Sequence, residues 1–199
     1  MRKIVLGLAT WLSFGCASSL MQPAEDLTLR PPSADASRIV FLRPSHWGGA
    51  IQTSLYDVSG PSPEFIGVLS AGKKIVHDIS PGAHRFMVVS ENADFMEAQL
   101  APGRTYYAVV GYRVGFWNGR FPLWPVKADA DAPYSLQDDD FQEWVEAESV
   151  VKTARADEWA RDELVEVQSK YDAYLPVWQQ KSPEDRAART LDEADGVSP

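Results

Sequence analysis

The chain predicts a mainly β protein, an antiparallel β-sandwich with a C-terminal α-helical extension. Three observations predict it. Between residues 37 and 128 short apolar runs with a period close to two recur between Pro and Gly turns. From 129 the composition turns acidic, and past 156 apolar residues recur at helical spacing. The single cysteine lies in the first sixteen residues, so no intramolecular disulfide is available and a hydrophobic core must carry the stability.

The amino end opens with Met1-Arg2-Lys3, continues apolar from Ile4 to Phe14, and reaches Gly15-Cys16-Ala17-Ser18-Ser19. A bilayer-spanning helix needs about 20 apolar residues, so this run is too short to stay in the membrane. A basic start and a small-residue end are the marks of an export signal. Cleavage before Cys16 makes residues 1–15 a lipoprotein signal peptide and leaves Cys16 for lipidation. Cleavage after Ala17 discards the cysteine. Lipidation is the expectation, because it consumes a thiol that would otherwise oxidise or cross-link. Several acyl chains hold a protein almost permanently, whereas one holds it marginally. Residues 16–36 then read as a lipidated N-terminus and a Pro-rich tether, since Pro23, Pro31 and Pro32 disfavour regular structure.

The domain itself is expected over 37–128. Arg38 to Arg43 is a β-branched and aromatic run stopped by Pro44. Ala50 to Val58 alternates, and Gly60-Pro61-Ser62-Pro63 turns into Phe65 to Leu69. Ala71-Gly72-Lys73 turns into Ile75 to Ile79, and Pro81-Gly82 into His84 to Val89. Phe95 to Leu100 follows, then Pro102-Gly103 and a strand from Tyr106 to Val114. Arg120 to Val126 is expected at a sheet edge, because Pro122 and Pro125 cannot donate to a central ladder.

Residues 129–199 are read as an acidic linker and C-terminal helices. Asp138, Asp139 and Asp140 precede Phe141, Trp144 and Val145, and carboxylates suit a helix start. A longer helix is expected from about Ala156 to Tyr174, with Ala160, Leu164, Val167, Tyr171 and Tyr174 as its apolar stripe. Pro176 ends or kinks it. Ser182-Pro183 is a fresh N-cap with Pro at the first helical position. Residues 192–199 are expected to fray.

At Arg38–Arg43-Pro44, Phe65–Leu69, Pro81-Gly82-Ala83-His84 and Pro102-Gly103-Arg104-Thr105-Tyr106-Tyr107 the chain resembles a family of bacterial lipoproteins with a small β-sandwich domain of unknown function. The Pro-Gly-x-His hairpin also resembles that of PEGA domains, which are surface β-modules. The resemblance covers roughly residues 37–114. It implies an Ig-like or PEGA-like sandwich and a lipid anchor, and it implies no activity. The segment Leu12–Cys16 is similar to a bacterial lipobox, with Gly15 before the cysteine but Ser13 and Phe14 where an aliphatic and a small residue are usual.

The chain carries a net charge of −9, and loss of Arg2 and Lys3 takes the exported form to −11. Phosphate backbones and anionic lipid surfaces need basic patches, so nucleic acid is excluded as a partner. No catalytic, cofactor or metal residues are assigned. His77 and His84 lie on candidate neighbouring strands, but His77 and Asp78 point to opposite faces of theirs, and His46 is remote. His84 is expected to settle its hairpin through a backbone hydrogen bond. The aspartates at 129, 131 and 138–140 lack the glycine of a calcium loop. Glu91, Asp94 and Glu97 cluster at a turn, with no separation readable for carboxylate catalysis. The richest stretch for binding is Gly115 to Pro125. Tyr112, Trp117, Arg120 and Trp124 form a possible binding surface there, or Trp117 and Trp124 form the seat of the helix stripe, which is preferred. The expectation is a non-enzymatic protein of the bacterial envelope, lipid-anchored at the outer membrane facing the periplasm. Its expected role is to bind or scaffold another envelope protein, or alternatively glycan or peptidoglycan.

Overall fold

The structure, a computed structural model, describes residues 19–44, 51–111 and 121–198. Cys16, His46, Tyr112, Trp117 and Arg120, and with them the signal peptide, the lipid anchor and most of the proposed binding surface, lie outside the described residues.

Eleven strands form two sheets among the described residues: β1 (Met21–Pro23), β2 (Ser37–Arg43), β3 (Thr53–Asp57), β4 (Glu64–Leu69), β5 (Lys73–Ile79), β6 (Gly82–Val89), β7 (Ala93–Leu100), β8 (Thr105–Val110), β9 (Leu123–Val126), β10 (Glu148–Lys152) and β11 (Thr190–Leu191). The first sheet runs β1-β10-β5-β2-β8-β9 and the second β11-β7-β6-β3-β4. The mainly β class with a C-terminal helix stands. The purely antiparallel expectation does not: β2 pairs β8 in parallel, β10 pairs β5 in parallel, and β11 pairs β7 in parallel. The Pro-Gly turns that suggested hairpins explain the error. The turns before β5, β6 and β8 carry the chain from one sheet to the other, and among the described residues the successive strands that pair as neighbours are β3–β4, β6–β7 and β8–β9.

Alternation places the core. Ile39 and Phe41 of β2, Tyr106, Ala108 and Val110 of β8, and Leu55, Phe86, Val88 and Met96 of the facing sheet pack between the sheets. Phe41 meets Phe86 edge to face with ring centres 5.3 Å apart. The intervening residues are buried as well, since both outer faces are covered. Val40, Leu42, Tyr107 and Val109 pack under α1 (Phe141–Val145) and the segment before it. Tyr56, Met87, Val89 and Phe95 pack under α2 (Ala154–Gln179). The result is a sandwich with helical covers on both faces, which is why β2 and β8 read as nearly unbroken apolar runs.

Three expectations are corrected at the ends of the chain. Residues 21–36 are no simple tether: β1 pairs β10 from Met21↔Lys152 to Pro23↔Val150, with Pro23 tolerated on an edge strand. Asp26 reaches the fully buried Lys74 at 2.7 Å, and Arg38 donates to the Leu27 and Arg30 carbonyls. The supposed acidic linker supplies a strand, β10, to the first sheet. Residues 192–198 do not fray. Leu191 and Asp195 are buried, and Val197 pairs with Thr105.

The expected helix is longer than its stripe implied. It runs from Ala154 through Pro176 to Gln179. Its inward residues are Ala156, Ala160, Val167 and Trp178, all buried, with Tyr171 and Tyr174 half-buried. Leu164 departs from the expected stripe and is exposed, as are Val165 and Val177. The short helix α3 (Pro183–Ala187) starts as expected: the Ser182 hydroxyl accepts from the Asp185 N–H, and Pro183 sits in the first turn. No helix among the described residues is long and apolar enough to cross a membrane.

Candidate functional site

The period of two in β3 sends Leu55 into the inter-sheet core and Tyr56 outward toward α2. Val89 of β6 lies on that same outer face, and Val68 of β4 lines the same cleft. The amino-terminal half of α2 crosses above them with Trp159, Glu163, Glu166, Val167 and Lys170. Between helix and sheet a cleft of about 680 Å³ is left, with Leu20, Ile51, Gln52 and Glu91 at its mouth. Its size falls within the usual range of ligand pockets, about 300–1,000 Å³.

Tyr56 is 1 % exposed, yet its hydroxyl has no hydrogen-bond partner among the described residues. The Ser54 side chain acts on it without meeting hydrogen-bond geometry. Burial pushes this hydroxyl above the usual tyrosine range, and the Glu163 and Glu166 charges push the same way. Lys170 answers Glu166 at 2.8 Å and donates to the Ser90 carbonyl. The rim therefore carries Glu91, Glu163 and Glu166 against one lysine. A buried hydroxyl left without a bond costs about 1–3 kcal/mol.

A second cavity, of about 380 Å³, opens under the carboxyl end of α2, where Trp178 meets Phe95 of β7. At the far end of the sandwich a third, of about 660 Å³, is lined by Asp57, Asp78, His77 and His84. The expected neighbourhood of the two histidines is corrected here: His77 is on β5 and His84 on β6, in different sheets, although both face this cavity. His84 Nδ1 pairs with Asp57 Oδ2 at 2.8 Å, and its Nε2 lies 2.9 Å from the Ser80 carbonyl. The expected backbone hydrogen bond of His84 is therefore present, but across a turn that links the two sheets rather than in a hairpin, together with a carboxylate that the sequence did not suggest. Among the described residues no group of three or more His, Cys, Asp and Glu is placed to hold a metal ion.

Of the carboxylates at the 91–97 turn, Glu97 and Asp94 are engaged by other partners, and Glu91 stands at the mouth of the α2 cleft. Glu97 pairs with Arg85 at 2.8 Å, and Asp94 receives Arg189 and the Leu123 N–H. Trp124 is half-buried on the edge strand β9. The Arg189 guanidinium lies 3.6 Å from its ring centre, and Tyr134 packs against it at 6.4 Å. Trp124 is not the seat of the helix stripe. The stripe docks on the second sheet, where Phe95 meets Tyr171 and Trp178, and Phe65 meets Trp159. The preference for Trp124 rested on nearness in sequence, whereas α2 reaches across to strands 60 to 110 residues before it. The sequence signal that was present is the pair Tyr56 and Phe95, both large and both on outward positions of their strands. No protein-family model and no curated protein matches the chain.

Proposed function

We propose that the chain is a non-enzymatic, lipid-anchored protein of the bacterial cell envelope, whose folded body binds a segment of another envelope protein in the acidic cleft under α2. The observation that carries the reading is the Tyr56 hydroxyl, almost wholly buried beside that cleft and unpartnered among the described residues. The rim charge favours a segment bearing Lys or Arg, and the Val68, Val89, Val167 and Trp159 walls favour an apolar side chain beside it. The net charge of −9 agrees with a basic partner. Cys16 is the proposed site of the anchor, in the outer membrane and facing the periplasm. The likeness to PEGA-type modules belongs to the same proposal and rests on the Pro81-Gly82-Ala83-His84 turn.

The test is a chemical cross-link and co-purification from detergent-solubilised envelopes, run with the parent chain, Glu163→Lys/Glu166→Lys and Tyr56→Phe. A recurrent stoichiometric partner that is lost with the charge reversal and weakened with Tyr56→Phe, at a melting temperature that neither variant lowers, is the expected result. A partner retained by both variants overturns the placement in this cleft. Intact mass with and without Cys16→Ser decides the anchor: an acyl mass that survives the substitution, or none in the parent chain, overturns it.

A further inference from the structure

We propose that the cavity under the carboxyl end of α2 is a separate site for a sugar acid, a pyranose ring bearing a carboxylate. The cavity is walled by Phe95, Phe121, Tyr174 and Trp178. Phe95, Phe121 and Trp178 are almost wholly buried while Tyr174 is half-buried, so the Tyr174 ring is the face left for the apolar side of a sugar or another flat body. At about 380 Å³ it lies at the small end of ligand pockets, which suits a single sugar residue.

Charge and unspent donors choose the ligand class. Among the described residues the charged ones lining the cavity are Asp94, Lys181 and Arg189, so that lining is net positive in a chain of net charge −9. Arg189 is spent on Asp94 and on the Leu123 carbonyl. Lys181 makes no ion pair among the described residues; its ammonium lies 5.7 Å from the Trp178 ring centre. Trp178 is 2 % exposed, and its indole N–H has no hydrogen-bond partner among the described residues. An indole N–H is a donor only, so what completes it must be an acceptor. An ammonium and a buried N–H donor together match a carboxylate on a ring. The Asn92 amide NH₂, whose neighbouring Oδ1 accepts from the Ser90 hydroxyl, and the Oδ1 atom of Asp94, whose hydrogen bonds among the described residues fall on Oδ2, are left for the ring hydroxyls, which a plain aromatic acid lacks.

The experiment titrates the detergent-solubilised full chain with glucuronate, glucose, acetate and benzoate by calorimetry. Saturable glucuronate binding is expected, with glucose, acetate and benzoate each weaker by about tenfold or more, the scale of one charge-assisted hydrogen bond. Lys181→Gln is expected to abolish the preference for glucuronate over glucose, and Trp178→Phe to weaken glucuronate by about tenfold. Lys181 is half-exposed, so its variant tests the site even if Trp178→Phe disturbs the helix dock. Four results each overturn the proposal: no saturation by glucuronate up to about 10 mM, equal binding of acetate, equal binding of benzoate, or a Lys181→Gln chain that still binds like the parent. The Glu163→Lys/Glu166→Lys variant should bind glucuronate as the parent does, so this site and the cleft fail or stand separately.

Discussion

His84 and His77 face one cavity and respond oppositely to pH. The Asp57 hydrogen bond raises the His84 pKa above the ordinary histidine value, against burial. Burial lowers that of His77, against the charges of Glu64 and Asp57, with Lys152 adding to the lowering and Asp78 opposing it. Burial also pushes the Asp57 carboxyl up, but the bonds from His84 and Ser59 outweigh it and hold it below the usual range. By linkage, the raised His84 stabilises fully below about pH 6.5 and loses that contribution as pH climbs through its folded value. The depressed His77 does the reverse: its contribution is present above about pH 6.5 and is lost as pH falls through its folded value. Asp57 adds stability above about pH 4 that is lost in stronger acid. In urea melts between pH 5 and 8, His84→Gln is expected to remove the loss of stability on going alkaline, and His77→Gln the loss on going acid. Neither difference slope can exceed about 1.4 kcal/mol per pH unit, the limit for one whole proton. Same-sign difference slopes for the two variants would refute the assignment. Of this site, the sequence disclosed the Pro-Gly-x-His turn. It hid Asp57, whose partner lies 27 residues away on another strand. A second asymmetry involves Lys74, fully buried, and Asp26, whose side chain is 36 % exposed. Asp26→Ala strands a buried ammonium with the Val145 carbonyl and Thr28 hydroxyl as its remaining partners. It is expected to cost about 3 kcal/mol by denaturant unfolding. Lys74→Met leaves a carboxylate that water can reach, and should cost less.

At the scale of elements, what was legible is what local chemistry decides. The eight strands from Ser37 to Val126 stand where β-branched and aromatic runs meet Pro-Gly turns, and the edge position of β9 followed from Pro125. The three missed strands are short: β1 has three residues, β11 two, and β10 five between a helical turn and a helix. Each exists because a neighbour offers an open ladder, and that is not written in its own residues. Which strands pair was equally hidden, since the parallel β2–β8 contact joins residues more than 60 apart in the chain. For α2 the helical period was readable, but the facing surface was not. Docking on Phe95 and Tyr56 buries Val167 and Trp178 and leaves Leu164, the expected stripe member, exposed. Phe95→Ala is therefore expected to cost about 3–5 kcal/mol, and Leu164→Ala under about 0.5 kcal/mol. Chemical unfolding monitored by circular dichroism separates the two. Equal losses would mean that the helix seats on its Leu164 face.

At the scale of the molecule, the ordered amino end alters the proposed anchoring. The expected tether of residues 16–36 would let the body roam. With β1 beginning at Met21, four residues, or five steps along the chain, separate the proposed acylated Cys16 from the sheet, a reach of at most about 17–18 Å. Thr153 donates to the Leu20 carbonyl, and Leu20 lines the same cleft as Trp159, so under the proposed anchor this is the flank that lies next to the bilayer. Trp124 sits on β9 at the opposite edge of the six-stranded sheet, five strand spacings from β1, or roughly 24 Å. With the native lipidated chain in nanodiscs containing nitroxide-headgroup lipid, the indole N–H resonance of Trp159 is expected to broaden far more than that of Trp124. The same lipids should leave both untouched in the soluble Cys16→Ser chain. Equal broadening in the lipidated chain would mean that the body tumbles on a loose tether after all. Stronger broadening at Trp124 would turn the molecule over and direct the α2 cleft away from the membrane. Under the proposed anchor the short reach also limits the proposed partner: a cleft whose mouth carries Leu20 would then meet a segment that comes down close to the bilayer surface.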